Sequence, residues 1–304
     1  MLRNGVLIAM AANALIGVSL VWDKILLRRP ATRSVPSYVF WLGAMSIFGL
    51  LLAPFGFHIP AARFAVLGFV AGIVHLIANF FYYEALQRGE ASDTLAIMGG
   101  LSPTATVLIA LGLLKQPLGG HGLSGFTLLV AGGFVMFLAE GVVWRKVLAP
   151  VLLSAAFFGL TNVLQKLVFD ETGFVTGYVF FTLGTFAGAL LLLIPPKWRR
   201  QIFVKSKEAS PRSRFWYFVN RFISGVGSFL IFLAISRGSP AVVDAISGIR
   251  YAIIFVAAWL ITRYRPAWLR EEFTGWALIA KTAGTVLVIA GLVIVGIEGE
   301  TPAG

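Results

Sequence analysis

The sequence predicts an all-α integral membrane protein with ten transmembrane helices, arranged as two five-helix repeats of inverted topology. Of the 304 residues, 58% are hydrophobic and only 12% are charged, whereas a soluble domain carries about 25% charged residues. Apolar runs of about 20 residues, the length that crosses the hydrocarbon core of a bilayer, recur along the chain. Motifs of its first half also return, in the same order, in its second half.

The apolar runs are expected to be helices, because backbone groups in lipid must form hydrogen bonds within their own segment. The ten predicted spans lie near residues 5–27, 36–56, 64–87, 94–114, 122–140, 147–169, 174–195, 215–236, 241–262 and 276–296. Most connections between them are short. The connection 196–214 is longer and rich in Lys and Arg, so we expect a solvated basic loop there.

The internal repeat rests on short matched motifs. The matches pair "GVSLVWDK" (17–24) with "GLTNVLQK" (159–166), "ALQRGEAS" (85–92) with "AISRGSPA" (234–241), and "AIMGGLSP" (96–103) with "AISGIRYA" (245–252). They divide the chain into a first repeat, residues 1–145, and a second repeat, residues 146–304. Because each half has an odd number of spans, the halves enter the membrane in opposite senses. Transporters use this arrangement to form a binding site at the repeat interface.

The same motifs resemble the drug/metabolite transporter superfamily, in its ten-helix EamA-like permease type. The resemblance lies in "YYEALQRGEAS" and "FLAISRGSPA", which end the third and eighth spans, in the fourth span "LSPTATVLIALGLL", and in the Gly-x6-Gly helix that closes each half. It implies a transporter whose first, third, fourth, sixth, eighth and ninth helices line a central cavity. Gln116 departs from the family pattern, which often has an acidic residue there, and "RYRPAWLREEFTG" is an insertion.

The charge distribution bears on location and orientation. Lys and Arg are concentrated in the connections on one side of the predicted bundle, which includes 196–214. The positive-inside rule puts this side in the cytoplasm and both termini outside, whereas the family resemblance implies both termini inside. The net charge of +12 is explained by basic connections facing an anionic leaflet. We therefore expect a multi-pass protein of the cell (inner) membrane, with the lipid bilayer and not nucleic acid as its partner.

Arg250 is the leading candidate for substrate binding. It lies near the middle of the ninth predicted span, where a charge is costly and is usually functional. Its planar guanidinium suits a carboxylate or phosphate, and we expect Tyr251 and Ser247 to bind substrate beside it. The alternative is a buried ion pair, for which the acidic candidates are Asp244, Glu84 and Asp93.

Polar side chains at helical spacing predict further substrate-binding residues. His75 and Asn79 share one face of the third span, and Asn162 lies in the sixth. The alternative role is hydrogen bonding between helices. Asp244 and His75 are the candidates for carrying a coupling proton.

Other intramembrane charges have simpler explanations. Arg221, Lys24 and Lys166 are expected to snorkel to the membrane interface. For Lys24 and Lys166, which follow Gly17 and Gly159 on matching helix faces, the alternative is that they form facing walls of one cavity. Glu84 and Arg88 are four residues apart and are expected to form an ion pair along the third span.

These observations favour a secondary active transporter that exports a small metabolite by alternating access. The cationic Arg250 indicates a substrate with a carboxylate or other anionic group, such as an amino acid or organic anion. The alternative is a drug or lipid-linked substrate exporter or flippase. A membrane enzyme is less favoured because the acidic residues are dispersed and no nucleophile–base pair stands out. We expect no catalytic residues, metal or cofactor, and we leave a homodimer open.

Overall fold

The computed structural model describes residues 2–28, 34–89, 91–114, 120–139, 144–204, 210–265 and 275–298. Every regular element in these residues is a helix. The helices are α1 (Leu2–Arg28), α2 (Val35–Met45), a 3-10 helix that continues α2 (Ser46–Phe55), α3 (Ala62–Arg88), α4 (Ala91–Leu113), α5 (Gly120–Ala139), α6 (Trp144–Leu191), α7 (Pro196–Phe203), α8 (Pro211–Arg237), α9 (Pro240–Ala245), α10 (Gly248–Tyr264) and α11 (Gly275–Glu298).

Five helical segments among the described residues are long and apolar enough to cross a membrane. They are Leu7–Leu27, Val35–Phe55, Ala62–Arg88, Lys146–Leu191 and Pro211–Arg237. Shorter apolar segments are Ile97–Leu113, Leu123–Gly132 and Leu278–Gly291. The prediction of an all-helical protein with several membrane-spanning helices is therefore confirmed. The exact count of ten spans and the inverted repeat stay predictions.

The sixth and seventh predicted spans form one continuous element, α6, with a sharp turn at Gly173. This residue has φ 71° and ψ 167°, a conformation that is open to glycine and strained for other residues. A Cβ placed on Gly177 would touch the Phe169 ring and Val168. The two arms of α6 therefore pack against each other on either side of the turn.

Two other segments differ from the sequence expectation. The predicted solvated loop 196–214 contains helix α7, whose Ile202 is fully buried and whose Phe203 ring lies 5.7 Å from that of Phe40 in α2. An amphipathic helix forms here because apolar residues alternate with the basic ones. The ninth predicted span is interrupted at Ile246–Ser247, which separates α9 from α10.

Packing joins helices from the two predicted halves. The most extensive contacts are those of α3 with α6, α5 with α11, α1 with α8 and α4 with α6, and α1 also packs against α10. Gly17 of α1 lies against α10, where an added Cβ would be 3.3 Å from the Arg250 carbonyl oxygen. Gly159 of α6 lies against α4, where an added Cβ would be 2.7 Å from the Thr106 nitrogen. Both glycines thus permit close helix contact.

Candidate functional site

A cavity of about 830 Å³ lies between the helices, within the size range of small-molecule sites. It opens at the bundle surface beside the exposed side chains of Phe48, Leu51 and Phe55. Residues of α1, α3, α4, α6, α8, α9 and α10 line it, as the sequence resemblance implied. The α2 segment with its 3-10 extension and the second arm of α6 also contribute, through residues such as Met45 and Thr182. Most of the lining is aliphatic or aromatic, and a small set of polar side chains faces it.

Five of the predicted site residues line this cavity: His75, Asn79, Asn162, Asp244 and Arg250. The other two predicted substrate-binding residues are placed differently. Ser247 is only 2% exposed, is not part of the cavity lining, and its Oγ has no hydrogen-bond partner among the described residues. Tyr251 belongs to α10, but its side chain lies outside the described part of the structure.

Asp244 is held at the end of α9 by neutral donors from other helices. Ser102 Oγ of α4 donates to Asp244 Oδ2 at 3.0 Å, and Thr106 Oγ1 donates to the same oxygen at 2.6 Å. The Asn162 side chain of α6 is a further hydrogen-bond partner. These donors fix the position of the Asp244 carboxyl group, which faces the cavity.

Arg250 is also held by a neutral partner. Its Nε and Nη2 donate to Asn13 Oδ1 of α1 at 3.2 and 2.6 Å. None of the ion pairs among the described residues involves Arg250, although it is close enough to Asp244 to attract it electrostatically. The guanidinium therefore keeps donor capacity for an anion in the cavity.

Glu84 and Asp93 are the other acidic candidates for ion-pair partners of Arg250. Glu84 forms the expected ion pair with Arg88, so that prediction is confirmed. The side chain of Asp93 lies outside the described part of the structure.

His75 lies in an aromatic surrounding. Its ring is 5.6, 5.1 and 5.7 Å from those of Phe158, Phe181 and Phe232. Asn79 Nδ2 lies 3.0 Å from His75 Nε2 and donates to the His75 carbonyl oxygen at 2.8 Å. Within the part of the chain that the structure describes, no carboxylate lies within ion-pair distance of the His75 ring.

The expectation that Arg221 and Lys24 snorkel is wrong. Arg221 of α8 is 4% exposed and forms a buried ion pair with Asp23 of α1. Lys24 is 3% exposed and donates to the carbonyl oxygens of Leu86 and Gly89 at the end of α3. Each finds a buried partner on a neighbouring helix, which removes the need to reach the interface.

A signal for this pair exists in the sequence. Asp23 and Arg221 have opposite charge and lie a similar distance from the same membrane face in two predicted spans. Lys166 differs from both, since it pairs with Asp170 one turn further along α6 at 2.7 Å. Within the described residues, no group of three or more His, Cys, Asp or Glu side chains could hold a metal ion.

Comparison with known proteins supports the resemblance seen in the sequence. Residues 3–138 match the model of the EamA-like transporter family, which belongs to the drug/metabolite transporter superfamily. The comparison with curated proteins found no match. A solved crystal structure, described only as that of a protein, aligns with 99% of this chain and 99% of its own at a TM-score of 0.64 and 17% identity. At that identity the alignment shows a shared fold and nothing more.

Proposed function

We propose that this EamA-like membrane transporter exports a small metabolite that carries a carboxylate, and that amino acids are its substrate class. The observation that carries the proposal is an acidic and a basic side chain in one cavity, Asp244 and Arg250, each held by neutral partners. Two charges that do not neutralise each other directly can receive a substrate with both a cationic and an anionic group. An α-amino acid has this character.

In this proposal Arg250 binds the substrate carboxylate. Arg offers a fork of donors that matches a carboxylate, and Asn13 fixes the guanidinium from the α1 side. Asp244 then accepts the substrate ammonium group. For an organic anion without an amine, Asp244 would instead take up the coupling proton, so that binding leaves the cavity without excess charge.

His75, Asn79 and Asn162 orient the substrate between these two groups. They lie on α3 and α6, and all three face the same cavity as Arg250 and Asp244. Tyr251 of α10 is a further candidate contact. Ser247 is outside the proposed site because it is buried and does not line the cavity.

Alternating access is supported by the packing of the two predicted halves. Helix α1 packs against α8 and α10, while α6 packs against α3 and α4. Under the sequence repeat these are equivalent pairs, each of which joins one half to the other. Two such halves rocking around the cavity would expose it to each side of the membrane in turn. We place the protein in the cell membrane with its basic connections in the cytoplasm.

Uptake into reconstituted vesicles tests this function. The purified protein is assayed with radiolabelled amino acids, organic anions and phosphorylated sugars, and with quaternary amines for the drug-exporter alternative. We expect saturable uptake of amino acids. The conservative variant Arg250→Lys keeps the charge but loses the fork, and it should raise KM more than it lowers kcat. Transport of quaternary amines alone would overturn the assignment.

A further inference from the structure

The buried charges Asp23 and Arg221 belong to a network at one end of the bundle, which we call the basic end because helix α7, with its three basic residues, packs beside α2 there. Asp23 is close to the end of α1, and Arg221 lies in the first half of α8. Asp23 is 0% exposed and Arg221 is 4% exposed. Burying two charges this completely costs desolvation free energy. The side chains that contact the pair therefore indicate what role it has.

Four helices contribute to this network. The Asp23 carboxylate accepts hydrogen bonds from Tyr38 Oη of α2 at 2.5 Å, from Tyr83 Oη of α3 at 3.0 Å, and from Asn220 Nδ2 and Arg221 Nη2 of α8. The Arg221 guanidinium also donates to Tyr83 Oη at 2.6 Å. The carboxylate therefore ties α1 to three other helices at once.

Aromatic rings enclose the guanidinium. The Arg221 Cζ atom lies 5.0, 5.6 and 5.7 Å from the ring centroids of Tyr38, Tyr83 and Tyr217. Tyr217 also donates to the Tyr38 carbonyl oxygen at 2.7 Å. Contacts of this kind attract a cation and exclude water from it. They fill the space between α2, α3 and α8 at the basic end.

The network forms one end of the substrate cavity. Arg221 and Tyr83 are part of the cavity lining, whereas Asp23, Tyr38 and Tyr217 are not. The layer behind the lining is buried: these three side chains are between 0 and 7% exposed. A solute in the cavity therefore cannot pass toward the basic end unless this layer separates.

Energetics favour a separable contact over a permanent one. Burying two charges costs desolvation free energy that their attraction only partly returns, and well-packed apolar residues often stabilise a fold as well or better. When such a layer opens, water hydrates the two charges again and the desolvation free energy is regained. A charged layer therefore separates more readily than an apolar one. At the matching repeat position the second half has Gln165, which is also fully buried but carries no charge.

We propose that the Asp23–Arg221 network, with Tyr38, Tyr83 and Tyr217, is the gate that closes the cavity toward the basic end. Transport requires it to open in one half of the cycle and to reform in the other. This inference rests on the proposed transport function, because a gate has meaning only where a solute passes.

The chain contains no cysteine, so single introduced cysteines report directly on the gate. Ser224→Cys places a thiol in the cavity, and Ser210→Cys places one in an exposed position at the basic end. In reconstituted vesicles, an impermeant maleimide added outside labels Ser210→Cys only in molecules whose basic end faces outward. That fraction is the reference for every other measurement.

With the gate closed, Ser224→Cys should stay unlabelled in the molecules whose basic end faces outward. Adding Asp23→Asn should expose it there and speed its labelling about tenfold, the change in an equilibrium expected from losing a charge-assisted hydrogen bond. Tyr38→Phe removes a single hydroxyl and should give a smaller increase even if Asp23→Asn folds poorly. Tyr178→Phe is the matched control, since Tyr178 lines the cavity outside the network, and should change nothing.

Two results would overturn the gate. One is full labelling of Ser224→Cys from the basic end without any further substitution. The other is unchanged labelling in Asp23→Asn and Tyr38→Phe while their melting temperatures fall, which would make the network purely structural. Failure of the unsubstituted protein to take up amino acids would instead overturn the proposed function, because labelling needs no substrate.

Discussion

Removing the Asp23 carboxylate while Arg221 stays in place should destabilise the protein strongly. In Asp23→Asn the side chain keeps its shape but loses its charge. Its amide oxygen can still accept from Tyr38, Asn220 and Arg221, and its nitrogen then faces the Tyr83 hydroxyl. Arg221 has no second carboxylate within ion-pair distance among the described residues. An unpaired buried charge of this kind costs about 3–5 kcal/mol, a large part of the about 5–15 kcal/mol that stabilises a typical protein.

A double-mutant cycle separates this pair from its surroundings. The free energy of unfolding is measured in detergent for Asp23→Asn, Arg221→Met and the double variant. Each single variant should lose about 3–5 kcal/mol, and the double variant should lose much less than their sum because it leaves no charge alone. Glu84→Gln is the control: it breaks the partly exposed pair with Arg88 and should cost at most about 1 kcal/mol. Strict additivity of the two single losses would refute the reasoning.

Three further predictions concern other parts of the molecule. Gln165 is fully buried and its side-chain nitrogen and oxygen have no hydrogen-bond partner among the described residues, so Gln165→Leu should raise the free energy of unfolding by about 1–3 kcal/mol; a loss would show that a partner had been removed. A Cβ on Gly72 would overlap the backbone of α6 near Gly184 and Thr185, so Gly72→Ala should lower the free energy of unfolding by about 1–3 kcal/mol and the melting temperature with it. A Cβ on Gly112 would meet no atom within 4 Å, so Gly112→Ala should leave the melting temperature unchanged. A cysteine introduced at Gly304 should react with an impermeant maleimide in intact cells if the positive-inside rule holds, and absence of labelling would reverse the proposed orientation.

The sequence predicts the fold class because its dominant signal, apolar runs of membrane-spanning length, depends on local composition. The breaks within those runs are less visible. Gly173 is one glycine among 33, and only its backbone dihedral angles and the packing of Gly177 against Phe169 show that the chain turns there. The sequence predicts a loop in place of helix α7 because its three basic residues mask the single buried face at Ile202.

The candidate site was partly predictable for a similar reason. Arg250 and Asp244 are predicted as site residues because they are ionisable residues within an apolar span, and both face the cavity. Asn13, which holds Arg250, lies more than 200 residues away in the chain, and no local pattern connects them. Asp23 and Arg221 are 198 residues apart, so their opposite charges at a similar depth are the one sign of the pairing in the sequence. A charged residue one or two turns from a span end is consistent with snorkelling, and only the three-dimensional contacts distinguish the two cases.

The central claim is that Arg250 binds the carboxylate of a transported amino acid, and the initial rate of amino acid uptake in reconstituted vesicles tests it most directly. The comparison is between the unsubstituted protein, Arg250→Ala and Arg263→Ala, which removes an exposed guanidinium from the same helix. Losing the charged, hydrogen-bonded contact should reduce kcat/KM by at least about tenfold in Arg250→Ala, with Arg263→Ala unaffected. Equal uptake by all three proteins, at equal amounts of folded protein, would contradict the account.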